Sequence, residues 1–204
     1  QGVSSAASDV YKRQYYYKVA YEMGPDAIHD FMKPWGFGQL TGIDLEHEAN
    51  GLLPSSEWKL KRFKRKWVPG ESPSIGIGQG YNSFTMLQLA HGIATLANNG
   101  VAMQPHLVRV TEDPATRERT EHEPQVRARI ALKPEHLALV KSAMVDVNRV
   151  GTSRAAFAGA EYVAAGKTGT AQVISIGQNE RYDARRIALL PMGFITGMMG
   201  PYME

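Results

Sequence analysis

Between Thr85 and Gly100 apolar residues recur at three- and four-residue spacing: Met86, Leu89, Ala90, Ile93, Ala94 and Ala97. That period lines one face of an α-helix and predicts that this stripe meets the core. Thr85 and Gln88 form a capping-box pattern at its start, and Asn98-Asn99-Gly100 supplies its stop. Pro134 opens another helix, with Leu137, Val140, Met144 and Val147 on one side and an end near Gly151; Thr152 is placed to cap a further short turn. Tyr15 to Met23 predicts a helix that stops at Gly24, and Pro25 suits the first turn of a second helix to about Met32. Ser55 to Trp67 predicts a short helix entering a basic run.

Elsewhere the periodicity changes or fails. From Lys33 to Pro54, Gly36, Gly38, Gly42, Gly51 and two prolines interrupt every pattern, which predicts an ordered loop region. Ser74 to Gly80, SIGIGQG, reads as a tight turn before the Thr85 helix. Pro105 to Thr111 and Val126 to Leu132 alternate as strands do, and the polar, turn-rich Glu112 to Gln125 between them predicts a polar hairpin. Tyr162 to Ser175 is small, β-branched and punctuated by glycine, the pattern of a strand whose backbone is closely approached. These elements predict one α/β domain without internal repeats.

The composition is that of an ordinary globular chain: 204 residues, 43% apolar and 21% charged. There is no cysteine, which excludes disulfide scaffolds, cysteine-ligated zinc and cysteine nucleophiles. A net charge of +3 is too small to imply a nucleic-acid or membrane partner. The uncharged stretch Ile187 to Met203 is broken by Pro191, Gly193, Gly197, Gly200 and Pro201, so no transmembrane helix is expected, and no signal peptide is visible. Ser4 to Gln14, SSAASDVYKRQ, resembles the translation of a transposon adapter, so residues 1–14 are expected to be adapter-derived.

Gly166-Lys167-Thr168-Gly169-Thr170 is the segment with a specific chemical reading. A phosphate-binding loop needs a glycine five residues before Gly-Lys-Thr, where Glu161 stands. Gly76 and Gly78 likewise fail the dinucleotide pattern, because Tyr81 occupies the third glycine position. The remaining reading is the lysine-threonine-glycine element of serine acyltransferases acting on penicillin and D-alanyl-D-alanine. A lysine ammonium near a nucleophile favours anions and eases proton transfer; hydroxyls hold a carboxylate; a glycine lets backbone amides approach a reacting carbonyl.

The stretches YYYKVAYEMG, FGQLTGIDL, GLLPSSEWKLKRF, WVPGESPSIGIGQGYNSFTMLQLAHGIATLANNG, AGKTGTAQV and NERYDARRIA occur in order between Tyr15 and Ala188. Through them the chain resembles the transpeptidase domain of the penicillin-binding protein 2 family, the elongation-type class B enzymes of bacterial wall synthesis. The resemblance implies a serine β-lactamase/transpeptidase-like fold, an antiparallel sheet flanked by helices and incomplete over this length. It implies a partial transpeptidase domain over 15–188, with 189–204 a frameshifted or non-native tail. The implied activity is serine acyl-enzyme cross-linking of peptidoglycan stem peptides at D-Ala-D-Ala, with β-lactams binding the same site and no cofactor or metal. Lys167 would be the electrostatic and proton-relay lysine, Thr168 and Thr170 would hold the substrate carboxylate, and the Thr170 amide would form half of the oxyanion hole. Gly169 would keep a side chain out of the strand. The implied location is the periplasmic face of the inner membrane, beside a membrane glycosyltransferase of the elongation machinery.

The family's Ser-x-x-Lys nucleophile and its second motif, Ser-x-Asn or Ser-x-Asp, are expected upstream of Tyr15, so the chain alone is expected to be inactive. Ser56-Glu57-Trp58-Lys59 satisfies Ser-x-x-Lys only by spelling and falls in a non-catalytic segment of the family. The run Lys59 to Lys66 reads as a solvated face anchored by Trp58, Phe63 and Trp67 rather than a nucleic-acid site. Asp44, Glu46, His47 and Glu48 lack a fixed metal geometry, and His29, His91, His106, His122 and His136 receive no role. A serine β-lactamase and a non-catalytic module of the wall-synthesis machinery are the alternative functions.

Overall fold

The computed structural model describes residues 4–151, 153–167 and 169, with side chains from Gln14 onward. The chain divides into two compact units, residues 1–133 and 134–204.

In the first unit, α1 (Ser4–Met32) starts well before Tyr15 and is interrupted at Gly24, whose φ of 73° and ψ of 171° are non-helical. The Gly24-Pro25 break is therefore where the sequence places it. After a 3-10 turn at Lys33–Trp35 comes the loop, then α2 (Ser56–Phe63). Ser55 caps α2 by accepting from the Trp58 amide at 3.1 Å, and Lys64 ends it in the left-handed region at φ 56°. A second 3-10 turn, Pro69–Glu71, leads into α3 (Ser72–Gly76), a short helix where the sequence predicts only a turn. Pro73 favours a first helical turn, and the glycines stop it after five residues. A side chain at Gly76 would overlap the methyl of the buried Ala20, so the bare backbone of α3 lies directly against α1.

Helix α4 (Met86–Ala97) has the predicted cap in full: the Gln88 amide donates to Thr85 Oγ1 at 3.1 Å, and the Thr85 amide to Gln88 Oε1 at 3.3 Å. Its buried face differs from the expected stripe. Gln88, His91, Gly92 and Thr95 are buried, whereas of the stripe Leu89, Ile93 and Ala97 are half-buried, Met86 is 62% exposed and Ala90 and Ala94 face outward. The cause lies in what α4 covers. The loop over residues 36–54 and the strand after α4 present backbone carbonyls, and buried carbonyls require donors. Gln88 Nε2 donates to Gln39 O and Asn50 O, both at 2.7 Å, and the His91 ring reaches Met103 O at 2.9 Å. Gly51, at φ 61°, makes room: a Cβ there would come within 2.6 Å of Gln88 Oε1.

The loop is ordered, as expected, because each stretch of its backbone is answered. Leu52 pairs with Ser83 in an antiparallel bridge, Glu48 accepts from the Thr41 and Gly42 amides at 2.7 and 3.1 Å, and Gln104 donates to Gly42 O at 2.8 Å.

The strands pair differently from the predicted hairpin. Two-stranded antiparallel ladders are nested: β1 (Val101–Met103) pairs with β4 (Val126–Arg129), and β2 (Val110–Glu112) with β3 (Arg119–Glu121). The turn at Asn99 and Gly100, both at positive φ, launches β1 directly from α4 and lets it take β4. Asp113 forms the hairpin tip by accepting from the Ala115 and Thr116 amides, and Glu112 grips Arg117 and Arg119.

The second unit contains α5 (Pro134–Arg149), as predicted. Met144 and Asn148 are its buried residues, with Leu137 and Val147 half-buried beside them. Turns over 153–159 bring the chain to Ala164 and Ala165, both buried, and the Gly166 amide donates to Met144 O at 3.0 Å. Residues 163–166 are irregular rather than a regular strand, and Lys167 makes a single β-bridge. Thr152, most of the rest of the predicted strand and the 189–204 tail lie outside the described residues. Among the described residues no helix is long and apolar enough to cross a membrane.

Candidate active site

In the second unit, the Gly-Lys-Thr-Gly-Thr segment emerges from a buried foundation. Ala164, Ala165 and Gly166 are buried, and Lys167 is the first exposed residue after them. Gly166 is tight against α5: a Cβ there would lie 3.2 Å from Asn148 Oδ1. The backbone entering Lys167 is thus tied to α5 by the Gly166 amide and leaves little room for a side chain at 166, while Lys167 itself is exposed. At Gly169 an added Cβ would meet nothing within 4 Å among the described residues. Thr168 and Thr170 lie outside the described residues.

Asn148 carried no signal in the sequence. It is 5% exposed, its Oδ1 touches Gly166, and its Nδ2 is buried without a partner among the described residues. Only its position on the Met144 side of α5, one turn on, marks it as inward-facing.

The other Ser-x-x-Lys spelling is not assembled as a nucleophile and base. Ser56 Oγ donates to Asp26 Oδ2 at 2.6 Å, and its amide to Asp26 Oδ1 at 2.8 Å. Lys59 is 4% exposed and is ion-paired with Glu71, its ammonium 5.5 Å from the Trp67 ring centroid and 5.9 Å from that of Tyr81. Burial pushes the Glu71 carboxyl up, but hydrogen bonds from Lys59, the Val68 amide and the Tyr81 hydroxyl outweigh it and hold the group below its ordinary value. Burial and the Glu71 contact raise the Tyr81 phenol. Lys59 is a paired interior cation, and the sequence marks it no differently from its five basic neighbours.

Asp44, Glu46, His47 and Glu48 do not converge. Asp44 accepts from the Leu107 and Val108 amides at 2.7 and 2.9 Å, which holds its carboxyl below the usual range. Glu48 serves Thr41 and Gly42; burial raises it, and those hydrogen bonds bring it below its ordinary value. Glu46 and His47 stand exposed at the loop tip. A shallow groove of about 420 Å³ beside the hairpin includes Asp44, His106, His122 and Glu123, and among the described residues no three such groups are placed to hold a metal.

Residues 12–199 match the family model described as the penicillin-binding protein transpeptidase domain. The chain is 42% identical over 176 residues to the peptidoglycan D,D-transpeptidase MrdA of Haemophilus influenzae, covering 83% of this chain and 26% of that protein. It is similar in structure to PBP2 of Pseudomonas aeruginosa, solved in complex with WCK 5153, with a TM-score of 0.67, 38% identity and coverage of 79% of this chain and 36% of that one. PBP2 of Helicobacter pylori, solved in complex with MreC, gives a TM-score of 0.63 at 29% identity, over 78% of this chain and 28% of that one. The chain therefore spans about a quarter of the length of the curated relatives it matches, and the likeness extends to the fold as well as the sequence.

Proposed function

The chain belongs to the penicillin-binding protein transpeptidase family, and from that premise we propose that it is part of a peptidoglycan D,D-transpeptidase of the elongation type. The observation that carries this reading is the arrangement at Lys167: an exposed cationic residue that follows directly on buried Ala164 to Gly166, with no described residue crowding Gly169 two positions on.

In the proposed reaction a serine Oγ attacks the carbonyl carbon of the penultimate D-Ala of a stem peptide. The C–N bond to the terminal D-Ala breaks, the departing amine takes the proton released by the serine, and an ester links enzyme and stem. An amine of a neighbouring strand then attacks the ester carbonyl, forming the cross-link and returning a proton to the serine. Lys167 attracts the substrate carboxylate and eases these proton transfers. The Thr168 and Thr170 hydroxyls hold that carboxylate, and the Thr170 amide donates to the oxyanion, where such donors act most strongly. Gly169 leaves the ligand room to approach. β-Lactams acylate the same serine. Ser56 is engaged with Asp26 and Lys59 with Glu71, which argues against that pair as nucleophile and base; the family resemblance implies a serine and lysine upstream of Tyr15.

The site works at the periplasmic face of the inner membrane, with a membrane glycosyltransferase as the polymerising partner. The 204-residue chain should take up no fluorescent penicillin, whereas the full-length gene product should do so and should lose the label on Lys167→Ala. Label on the short chain that disappears on Ser56→Ala would overturn the assignment, and rapid nitrocefin turnover by the full-length product would move it to the β-lactamases.

A further inference from the structure

The basic segment after α2 has a built character that a merely solvated face does not require. Of its six cations, Lys59 is turned inward and paired with Glu71, and Lys61 pairs with Glu57 on the helix surface at 2.6 Å. Arg62, Lys64, Arg65 and Lys66 are exposed, and among the described residues none has an acidic partner. No Asp or Glu occurs between Trp58 and Gly70. Like charges at such spacing repel one another, so the fold holds them together at a cost.

The segment is fastened at both ends. On one side the Lys64 amide donates to Leu60 O at 3.0 Å, and Phe63 packs edge-on against Trp58 at 5.6 Å and at a tilt against Tyr81 at 5.7 Å. On the other side Trp67 Nε1 donates to Ser72 Oγ at 3.0 Å and the Val68 amide to Glu71 Oε2 at 2.9 Å. Between these anchors the chain leaves the helix through the left-handed Lys64 and runs on without helical turns, so the cations form a short track on a fixed base. Phe63 remains 46% exposed beside them.

We propose that this track docks an anionic wall strand, a glycan whose peptide branches carry carboxylates, through residues other than those of the Lys167 segment. The identity of the strand rests on the transpeptidase reading above; the need for a polyanion rests on the track itself. Pre-fastened cations lose little freedom on binding, which favours an extended polymer that meets several of them in turn. A bilayer fits less well, because α2 has only eight residues and its exposed Leu60 and Phe63 are interleaved with charges rather than gathered on one face.

The test is co-sedimentation of the whole chain with purified, protein-free sacculi. A variant carrying Arg62→Gln, Lys64→Gln, Arg65→Gln and Lys66→Gln should bind about tenfold more weakly or worse. A control removing equal charge elsewhere, Lys18→Gln, Lys133→Gln, Arg149→Gln and Arg154→Gln, should bind as the parent does. Parent binding should weaken steeply from about 0.01 M to about 0.15 M salt, as the screening length falls from about 30 Å to about 8 Å, and should fail on sacculi whose carboxylates are amidated. Equal loss in the control, no loss in the track variant, or undiminished binding to amidated sacculi would overturn the proposal. So would tighter binding to phosphatidylglycerol vesicles or to a single-stranded oligonucleotide than to sacculi. Penicillin labelling of the full-length protein is read in parallel: labelling that persists while the sacculus result fails removes only the docking track, and absent labelling removes the enzymatic reading instead.

Discussion

Helices α4 and α5 are both announced by apolar spacing, yet they bury opposite kinds of face. In α5 the predicted stripe turns inward at Met144, with Leu137 and Val147 half-buried on the same side and Val140 left 43% exposed. In α4 the predicted stripe is only partly covered, with Leu89, Ile93 and Ala97 half-buried and Met86, Ala90 and Ala94 exposed, while Gln88, His91 and Thr95 go fully in. A helix that packs against side chains needs apolar surface, whereas one that packs against a loop must supply hydrogen-bond donors to the loop's carbonyls. Gln88 does this completely, spending both amide hydrogens and its oxygen on Gln39, Asn50 and Thr85. Periodicity thus identifies a helix, while the nature of the partner decides which face is covered.

The comparison can be broken most directly at Gln88. Gln88→Leu keeps the volume and adds apolar surface, so an ordinary apolar packing face would tolerate it; a donor hub loses about 4 kcal/mol, since each polar group stranded by the change costs about 1–3 kcal/mol. Urea unfolding of the two proteins measures it. Met144→Ala probes the contrasting seam, and its cost of about 3 kcal/mol, that of a core cavity, should appear in the same experiment. A smaller effect tests whether the polar interior extends to the Lys59–Glu71 pair. Because the Glu71 carboxyl is held below its ordinary value of 4.5, its contribution is complete above that value and is lost as pH falls through the lowered one. Stability should therefore drop less on acidification in Glu71→Gln than in the parent, and thermal melts between about pH 6 and about pH 3 report it. At the low end, Met86→Ala on the outward stripe of α4 should change stability by less than about 0.5 kcal/mol; a large loss would mean that this face is covered in solution.

Local signals were the legible part of the fold. The Thr85–Gln88 cap, the Gly24-Pro25 break and the Pro134 start rest on interactions within a few residues, and each lies where the sequence places it. Strand pairing was not legible: Val126 to Arg129 alternates convincingly, but its partner, Val101 to Met103, is too short to alternate and is defined only by the turn at Asn99 and Gly100. In the candidate site, Lys167 and Gly169 stand out in the sequence because the proposed chemistry dictates the residue types. Asn148 was not, since its contact with Gly166 joins residues far apart in the chain. The acids at 44–48 misled in a related way: clustered in sequence, they serve separate backbone amides.

The bare contact between Gly76 and Ala20 bears on how such sequences can diverge. A methyl at position 76 has no space while position 20 carries one, so the two sites share a single allowance of volume. Alanine at 76 becomes acceptable only with glycine at 20, and any larger pair requires α3 to withdraw from α1. Substitutions at these positions should therefore be found in compensating pairs rather than singly. Residues 20 and 76 would then covary across natural sequences although neither has any chemistry of its own.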